Sequence, residues 1–450
     1  MNSYRFLCLS LLLLALCAGS AFAREPAATG AVPVRVARDG TGFVLLRDGR
    51  PYAIKGAGVE LDRIAALAAH GGNSLRTWST GNRSKSGRQV LDEAAHYGLT
   101  VAMGIEIGRE RLEFDYDDEQ AVAKQLEFVR GEVLKYKDHP ALLAWIIGNE
   151  ANLNFKNPKV FDAINDISKL IHQLDPHHPT TTALAGFDAR LATLIDTRAP
   201  DLDFVSIQMY GNIVNLPRYL AETNFRRPYM VTEWGAKGHW EVDKTTWGAP
   251  IEHTSSEKAA QYRKAYETVI ASGDERLLGD YVFLWGQKQE RTPTWYGLFL
   301  ADGSTTEALD FMQFAWTGAW PANRAPRVEA LRLDSRQATD SVVVAPGQRV
   351  AASVAATDPE GGKLSYSWQV VREIMVRQTG GDPEPMPPTV RVRMDRADGA
   401  NPSFIAPRRP GAYRLFVYVH DGSGGAGHAN IPFHVAPPGP LPPAATEPKT

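Results

Sequence analysis

The chain has 450 residues, with 49 Lys and Arg against 51 Asp and Glu and a formal net charge of -2. This balance argues against a nucleic-acid polymer as partner, because such binding calls for a strongly basic face, and it suits an uncharged substrate. The length allows two or three domains with well-buried cores.

The first 23 residues are predicted to be a signal peptide. Arg5 supplies a positive start, residues 6–18 form an apolar run, and residues 21–23 (Ala-Phe-Ala) have the small-x-small form of a cleavage site. The apolar run is shorter than the about 20 residues that span a bilayer. We therefore expect an exported protein, periplasmic or extracellular, without stable membrane insertion.

Metal and cofactor chemistry is not indicated by the sequence. Cys8 and Cys17 both lie inside the leader, so no disulfide or cysteine-based metal site is expected in the mature chain. The histidines lack metal-ligand spacing, and neither a Gly-rich phosphate loop nor a Gly-x-Ser-x-Gly turn follows an expected strand. We predict no metal and no cofactor.

Residues 24–39 are predicted to be a linker, and residues 40–320 then alternate strand and helix patterns, as parallel βα units do. Eight strands with intervening helices over about 270 residues fit one closed (β/α)8 barrel, that is, an α/β TIM-barrel fold. The expected strands are residues 53–58, 74–78, 99–107, 142–148, 180–185, 204–209, 228–232 and 279–285.

The sequence pattern changes after the predicted barrel. Residues 321–326 (PANRAP) predict a linker, and short β-rich segments with Gly, Pro and Asp turns follow. This pattern is typical of a small all-β sandwich, here over residues 327–436. The Pro- and Ala-rich residues 437–450 are predicted to be a disordered tail.

Two strands are expected to end in carboxylates. The fourth expected strand is followed by Asn149-Glu150, and the seventh by Glu233-Trp234. Catalytic groups of a parallel barrel lie at the carboxyl ends of strands, so these glutamates are expected to face each other. Retaining glycosidases place two carboxyl groups about 5 to 5.5 Å apart, and inverting ones about 6.5 to 9.5 Å. The alternative, that Glu150 simply begins the next loop and Asn149 caps a turn, is weakened by the repetition of the pattern at Glu233.

These motifs, together with the opening segment FVLLRDGRPYAIKG at residues 43–56, resemble glycoside hydrolase clan A, and most of all the catalytic barrels of families two and five. The resemblance covers residues 40–318. It implies that Glu150 is the acid/base, that Glu233 is the nucleophile, and that hydrolysis retains the anomeric configuration.

Further residues match the clan one by one. The resemblance implies that Arg76 lies near the nucleophile, that Tyr210 hydrogen-bonds to it, and that Trp285 lies beneath the sugar. A structural ion pair for Arg76 and a core position for Trp285 remain alternatives. Gln208 departs from the family-five pattern, which has His there. The other residues expected to bind substrate are Asn149, Trp78 and Trp234. Trp240, Trp247 and Trp295 fall in loops at the same end and, with Trp78, are candidates for a stacking cleft.

The segments DPEGGKLSYSW and PGAYRLFVYV of the C-terminal domain resemble immunoglobulin-like domains of the polycystic-kidney-disease type, which implies a spacer or an attachment domain. For the whole chain we predict an exported retaining glycoside hydrolase that acts on a β-linked oligosaccharide or polysaccharide. One alternative is a transglycosylase on the same barrel. The other is a non-catalytic carbohydrate-binding protein, which would have no need of both glutamates.

Overall fold

The computed structural model of the chain describes residues 30–374 and 381–437. The predicted signal peptide, residues 24–29 of the predicted first linker and residues 438–450 of the predicted tail lie outside these residues. A closed barrel of eight parallel strands is followed by an all-β domain, which confirms the predicted fold class. In the described part of the chain, no helix is long and apolar enough to cross a membrane.

The barrel is the centre of the fold. Its strands close in sequence order, and the last pairs with the first. The fourth barrel strand, β7 (Leu142–Asn149), is an apolar run that is buried along all but its last residue, because its two faces pack against the barrel interior and the helices. The strands are β4 (Gly56–Val59), β5 (Ser74–Arg76), β6 (Thr100–Ile105), β7 (Leu142–Asn149), β8 (Thr180–Ala185), β9 (Val205–Gln208), β10 (Tyr229–Trp234) and β11 (Leu277–Trp285).

Helices surround the barrel and bury one apolar face each. Local signals set where several of them begin: Ser86 and Thr254 form capping boxes with Gln89 and Glu257, respectively, and thereby satisfy free backbone N–H groups. The helices are α1 (Ile64–Ala69), α2 (Gly87–His96), α3 (Glu119–Tyr136), α4 (Lys159–Leu174), α5 (Ala189–Arg198), α6 (Leu216–Ala221), α7 (Ser255–Ala265) and α8 (Glu307–Thr317).

A small antiparallel sheet closes the end of the barrel at which the strands begin. It contains β1 (Val34–Arg38), β2 (Phe43–Arg47) and β3 (Arg50–Pro51). The prediction of a linker over residues 24–39 is therefore wrong for β1, whose five residues pair with β2. Val34 and Leu45 are buried against residues from the barrel interior, which explains why this short strand is ordered.

The C-terminal domain is a sandwich with its own core. Two four-stranded sheets bury apolar side chains between them, and Phe404 of one sheet meets Phe433 of the other at 5.8 Å between ring centres. The resemblance to immunoglobulin-like domains remains a prediction. The strands are β12 (Arg327–Val328), β13 (Arg332–Leu333), β14 (Val343–Val344), β15 (Arg349–Ser353), β16 (Ala356–Thr357), β17 (Ser365–Arg372), β18 (Met394–Asp395), β19 (Ser403–Ile405), β20 (Gly411–His420) and β21 (Ala426–Val435).

The sandwich is anchored to the barrel through polar contacts at α7 and α8. The irregular segment 321–326 matches the predicted linker, yet Ala325 is buried and its N–H donates to Asp310 at 2.6 Å. The hydroxyl of Ser255, at the start of α7, accepts from the backbone N–H of His428 in β21 at 2.9 Å. The two domains therefore share a packed boundary.

Candidate active site

The two predicted catalytic glutamates lie where the sequence places them, at the carboxyl ends of the fourth and seventh barrel strands. Asn149 is the last residue of β7 and Glu150 follows it, and Glu233 is the penultimate residue of β10. In a closed parallel barrel these strand ends all open at one end, called the mouth below. Glu233 is almost fully buried, whereas Glu150 is half-buried.

Glu233 is surrounded by hydrogen-bond donors. Its Oε1 accepts from the guanidinium of Arg76, from the indole N–H of Trp78 at 2.7 Å and from Gln208 Nε2 at 2.9 Å. Its Oε2 accepts from the hydroxyl of Tyr210 at 2.7 Å. An ionised carboxylate is an acceptor only, and this set of donors therefore matches the charged form.

Asn149 belongs to the same hydrogen-bond network. Its side-chain oxygen accepts from Arg76 Nη2 at 2.5 Å and from Gln208 Nε2 at 2.8 Å. Arg76, which is fully buried, therefore joins the strand end that carries Glu150 to the one that carries Glu233. Gln208, the departure from the family-five pattern, bonds to both Asn149 and Glu233.

Glu150 is held in a different state from Glu233. Burial, and next the negative charge of Glu233, raise the pKa of Glu150 to about 8, while the charge of Arg76 opposes this rise. Glu150 also has a left-handed backbone conformation, with φ of 50°, which costs a non-glycine residue on the order of 1–2 kcal/mol. The site therefore pairs a carboxyl group that keeps its proton with a carboxylate ringed by donors.

Aromatic rings form a wall beside this pair. Tyr210 meets Phe283 at 5.6 Å and Trp240 at 5.7 Å between ring centres, and Phe283 also meets Trp78 at 5.8 Å. Trp240 is 57% exposed, so it presents a free ring face at the mouth. Phe283 was not among the predicted site residues. Its position inside the eighth strand, two residues before Trp285, was the one available signal.

Trp234 and Trp285 do not line the site, and the prediction that they bind substrate is wrong. Both are fully buried. The Trp234 indole donates to Asp280 at 2.8 Å on the outer side of the barrel, because neighbouring strand residues point to opposite faces and Glu233 points inward. The Trp285 indole donates to the carbonyl of Arg63 at 3.2 Å, since the pairing of β11 with β4 shifts register before Trp285.

The other tryptophans of the mouth loops include two that are engaged in packing contacts and one that is exposed. Trp295 is buried, and its indole donates to the carbonyl of Lys237 at 2.9 Å. Trp247 faces His434 of the sandwich at 5.5 Å between ring centres. Of the four candidates for a stacking cleft, only Trp240 is exposed; Trp78 is half-buried. No group of three or more His, Cys, Asp or Glu within residues 30–374 and 381–437 is arranged to hold a metal ion.

Comparisons with known proteins bear on the barrel. Residues 64–241, which include both glutamates, match the family model described as glycosyl hydrolases family 2, TIM barrel domain. No protein of curated function matches the sequence.

Several solved structures share the fold. The β-D-glucuronidase of Dictyoglomus thermophilum is 18% identical with a TM-score of 0.50, over 64% of this chain and 54% of that one. The β-glucuronidase of Bifidobacterium dentium is 18% identical with a TM-score of 0.50, over 63% and 49%. The β-glucuronidase 2 of Bacteroides uniformis is 14% identical with a TM-score of 0.50, over 90% and 48%.

This chain thus spans about half the length of the solved structures that it matches, and the likeness to them is one of fold. The family match covers the strands and loops that carry Asn149, Glu150, Tyr210 and Glu233. Residues 64–241 of the barrel are therefore similar to the TIM barrel domain of glycosyl hydrolases family 2, one of the families that the sequence motifs resemble.

Proposed function

We propose that the chain is an exported retaining glycoside hydrolase that cleaves a β-linked glycan, with Glu233 as nucleophile and Glu150 as acid/base. The observation that carries this proposal is the contrast between the two carboxyl groups. Four donors surround Glu233, while the pKa of Glu150 is raised by burial and by Glu233 itself. An acid and a nucleophile in one site require this difference.

In the first step Glu233 attacks the anomeric carbon, the bond from that carbon to the leaving oxygen breaks, and Glu150 gives its proton to that oxygen. Oε1 of Glu233 already accepts three hydrogen bonds and Oε2 only one, from Tyr210. The attacking atom is therefore Oε2, which has lone-pair capacity left.

In the second step Glu150 acts as a base. It removes a proton from water, the water oxygen attacks the anomeric carbon, and the bond from that carbon to Glu233 breaks. Arg76, Trp78 and Gln208 hold Oε1 in place through both steps, so that the carboxylate does not rotate when Oε2 forms and releases its bond. Two displacements at one carbon return the original configuration.

The test is hydrolysis of a panel of β-glycans and 4-nitrophenyl β-glycosides, with β-glucuronides included because the similar solved structures carry that name. Glu150→Gln and Glu233→Gln are each expected to lower kcat/KM by roughly 10⁴-fold or more on the substrate that the wild type cleaves. Glu127→Gln, an exposed change on α3, is the matched control and should have no effect.

Proton NMR of the first product distinguishes the outcomes. The β-anomer is expected first, and its appearance supports retention. Sugar transferred to a second sugar at high substrate concentration would identify a transglycosylase. If the wild type cleaves nothing in the panel while the wild type and both variants bind glycans equally well, the proposal fails and the carbohydrate-binding alternative takes its place.

A further inference from the structure

A short segment of the C-terminal domain, residues 381–384, contacts the mouth of the barrel. Asp382 accepts from both terminal nitrogens of Arg111, at 2.6 and 3.0 Å. Glu384 accepts from the backbone N–H of Arg291 at 2.6 Å. Arg111 lies in the loop after β6 and Arg291 in the loop after β11, and both loops are at the same end as the catalytic pair. The sandwich therefore bridges two mouth loops.

The approach is closest at Gly381. Its carbonyl accepts from Lys288 Nζ at 2.8 Å, and a Cβ at this position would lie 2.8 Å from Lys288 Nζ and 3.5 Å from Glu290 Oε2. Gly381 also has φ of 71°, a conformation that favours glycine. Glu290 is buried, and its negative charge contributes to the raised pKa of Glu150. The segment therefore contacts Glu290, a residue whose charge affects the pKa of the acid/base.

A second chain of contacts runs to Glu150 through the loop after β6. Glu110, next to Arg111, accepts from the backbone N–H groups of Lys156 and Asn157, at 2.6 and 3.0 Å. These two residues belong to the loop that follows Glu150. The positive charge of Arg111 lowers the pKa of Glu150, in opposition to the larger effects of burial and Glu233. One loop therefore connects the sandwich to the loop of the acid/base.

We infer that residues 381–384 are part of the active site, with Asp382 as a positioning residue that holds Arg111 on the leaving-group side of Glu150. The inference rests on the proposed function, since the acid/base defines which side of the site the leaving group occupies. The leaving group is a sugar unit of the glycan. It contacts a surface that the loop after β6 and the sandwich form together. The C-terminal domain is then a component of the catalytic cleft.

The experiment compares two leaving groups on the sugar that the wild type cleaves: an oligosaccharide and a 2,4-dinitrophenyl glycoside. Dinitrophenolate leaves without a proton from Glu150, and it has no sugar unit that could contact the surface formed by the loop after β6 and the sandwich. Asp382→Ala is expected to lower kcat/KM roughly tenfold for the oligosaccharide and less than about twofold for the dinitrophenyl glycoside. Asp382→Asn keeps one acceptor oxygen for Arg111 and should recover part of the loss.

The matched control is Asp395→Ala, which removes an exposed ion pair with Arg349 in the same domain and should change neither substrate. If Asp382→Ala slows both substrates equally, or slows neither, the inference is overturned. Should Asp382→Ala fail to fold, Asp382→Asn carries the same comparison. The absence of any turnover by the wild type would contradict the proposed function itself, which is a different result from turnover with unchanged leaving-group dependence.

Discussion

Two glutamates in different regions of the molecule have the same exposure and the same number of donors. Glu233 at the mouth and Glu252 at the boundary with the sandwich are each 4% exposed, and each accepts from four side chains. The donors to Glu252 are Lys258, Thr292, Thr294 and Asn430.

The difference between them lies in how the donors are distributed. Each oxygen of Glu252 accepts two hydrogen bonds, whereas Glu233 has three on Oε1 and one on Oε2. Glu233 also has a carboxyl group as its neighbour in the site, that of Glu150, and the charge of Glu233 raises the pKa of Glu150. A ring of donors therefore stabilises a buried anion in either place. The spare acceptor capacity of Glu233 Oε2 and the raised pKa of the neighbouring Glu150 are the features that indicate a catalytic role for Glu233 and not for Glu252.

The largest effect expected from this comparison is the loss of stability in Glu252→Gln. It leaves the buried ammonium of Lys258 without its anion, and breaking a buried pair in this way costs about 3–5 kcal/mol. Glu233→Gln should cost less, because Glu150 can ionise once the charge of Glu233 is gone and then compensates Arg76. Urea unfolding of both variants at pH 7 measures the difference.

The matched control for that prediction is the double variant Glu252→Gln/Lys258→Met, in which no charge is left unpaired. It should recover part of the free energy of unfolding that Glu252→Gln loses. If Glu233→Gln is destabilised as much as Glu252→Gln, the compensation by Glu150 does not occur.

Sequence reasoning found only one of these two glutamates, for a physical reason. Glu233 ends an apolar strand, and the carboxyl ends of barrel strands converge, so strand counting places it near Glu150. Glu252 has no such signal, because its partner Asn430 is 178 residues away in another domain. The contact between Arg111 and Asp382 spans 271 residues and is invisible in the sequence for the same reason.

The predicted aromatic residues show a second limit of the sequence. Alternation along β10 would have shown that Trp234 points away from Glu233, and this error was avoidable. The outward position of Trp285 was not, since it depends on a register shift between β11 and β4. A strand pattern predicts which residues share a face only while the pairing is regular.

The next expected effect is an acid-induced loss of stability that comes from Glu252. Lys258 and the other donors overcome burial and lower the pKa of Glu252 from 4.5 to about 2. The stabilisation, about 3 kcal/mol, is complete above pH 4.5, where the carboxyl is ionised in both the folded and the unfolded chain. It is lost as the pH falls from 4.5 towards 2. Thermal unfolding measured across this range should show the decline in the wild type, and Glu252→Gln should lack this part of it.

At the mouth we expect kcat/KM to be lost at high pH, whereas the stability contributed by Glu252 is lost at low pH. The first step needs protonated Glu150, whose pKa is raised to about 8, so kcat/KM should fall about tenfold per pH unit above that value. Glu290→Gln removes a negative charge that helps to raise this pKa, so its decline should begin at a lower pH. A wild-type profile that already declines near pH 4.5 would mean that burial and Glu233 do not raise the pKa of Glu150.

The smallest expected effect distinguishes the mouth from the boundary with the sandwich through one tryptophan in each. Trp240 stands at the mouth beside Tyr210 with 57% of its surface exposed, whereas Trp247 packs against His434 of the sandwich. A contact between two aromatic rings is worth about 0.5–1.5 kcal/mol, and the loss of a sugar contact of that size in Trp240→Ala should raise KM several-fold and leave kcat nearly unchanged. Trp247→Ala should leave KM unchanged and lower the unfolding temperature. The reverse result would move the glycan from the mouth to the boundary between the domains, where Trp247 lies.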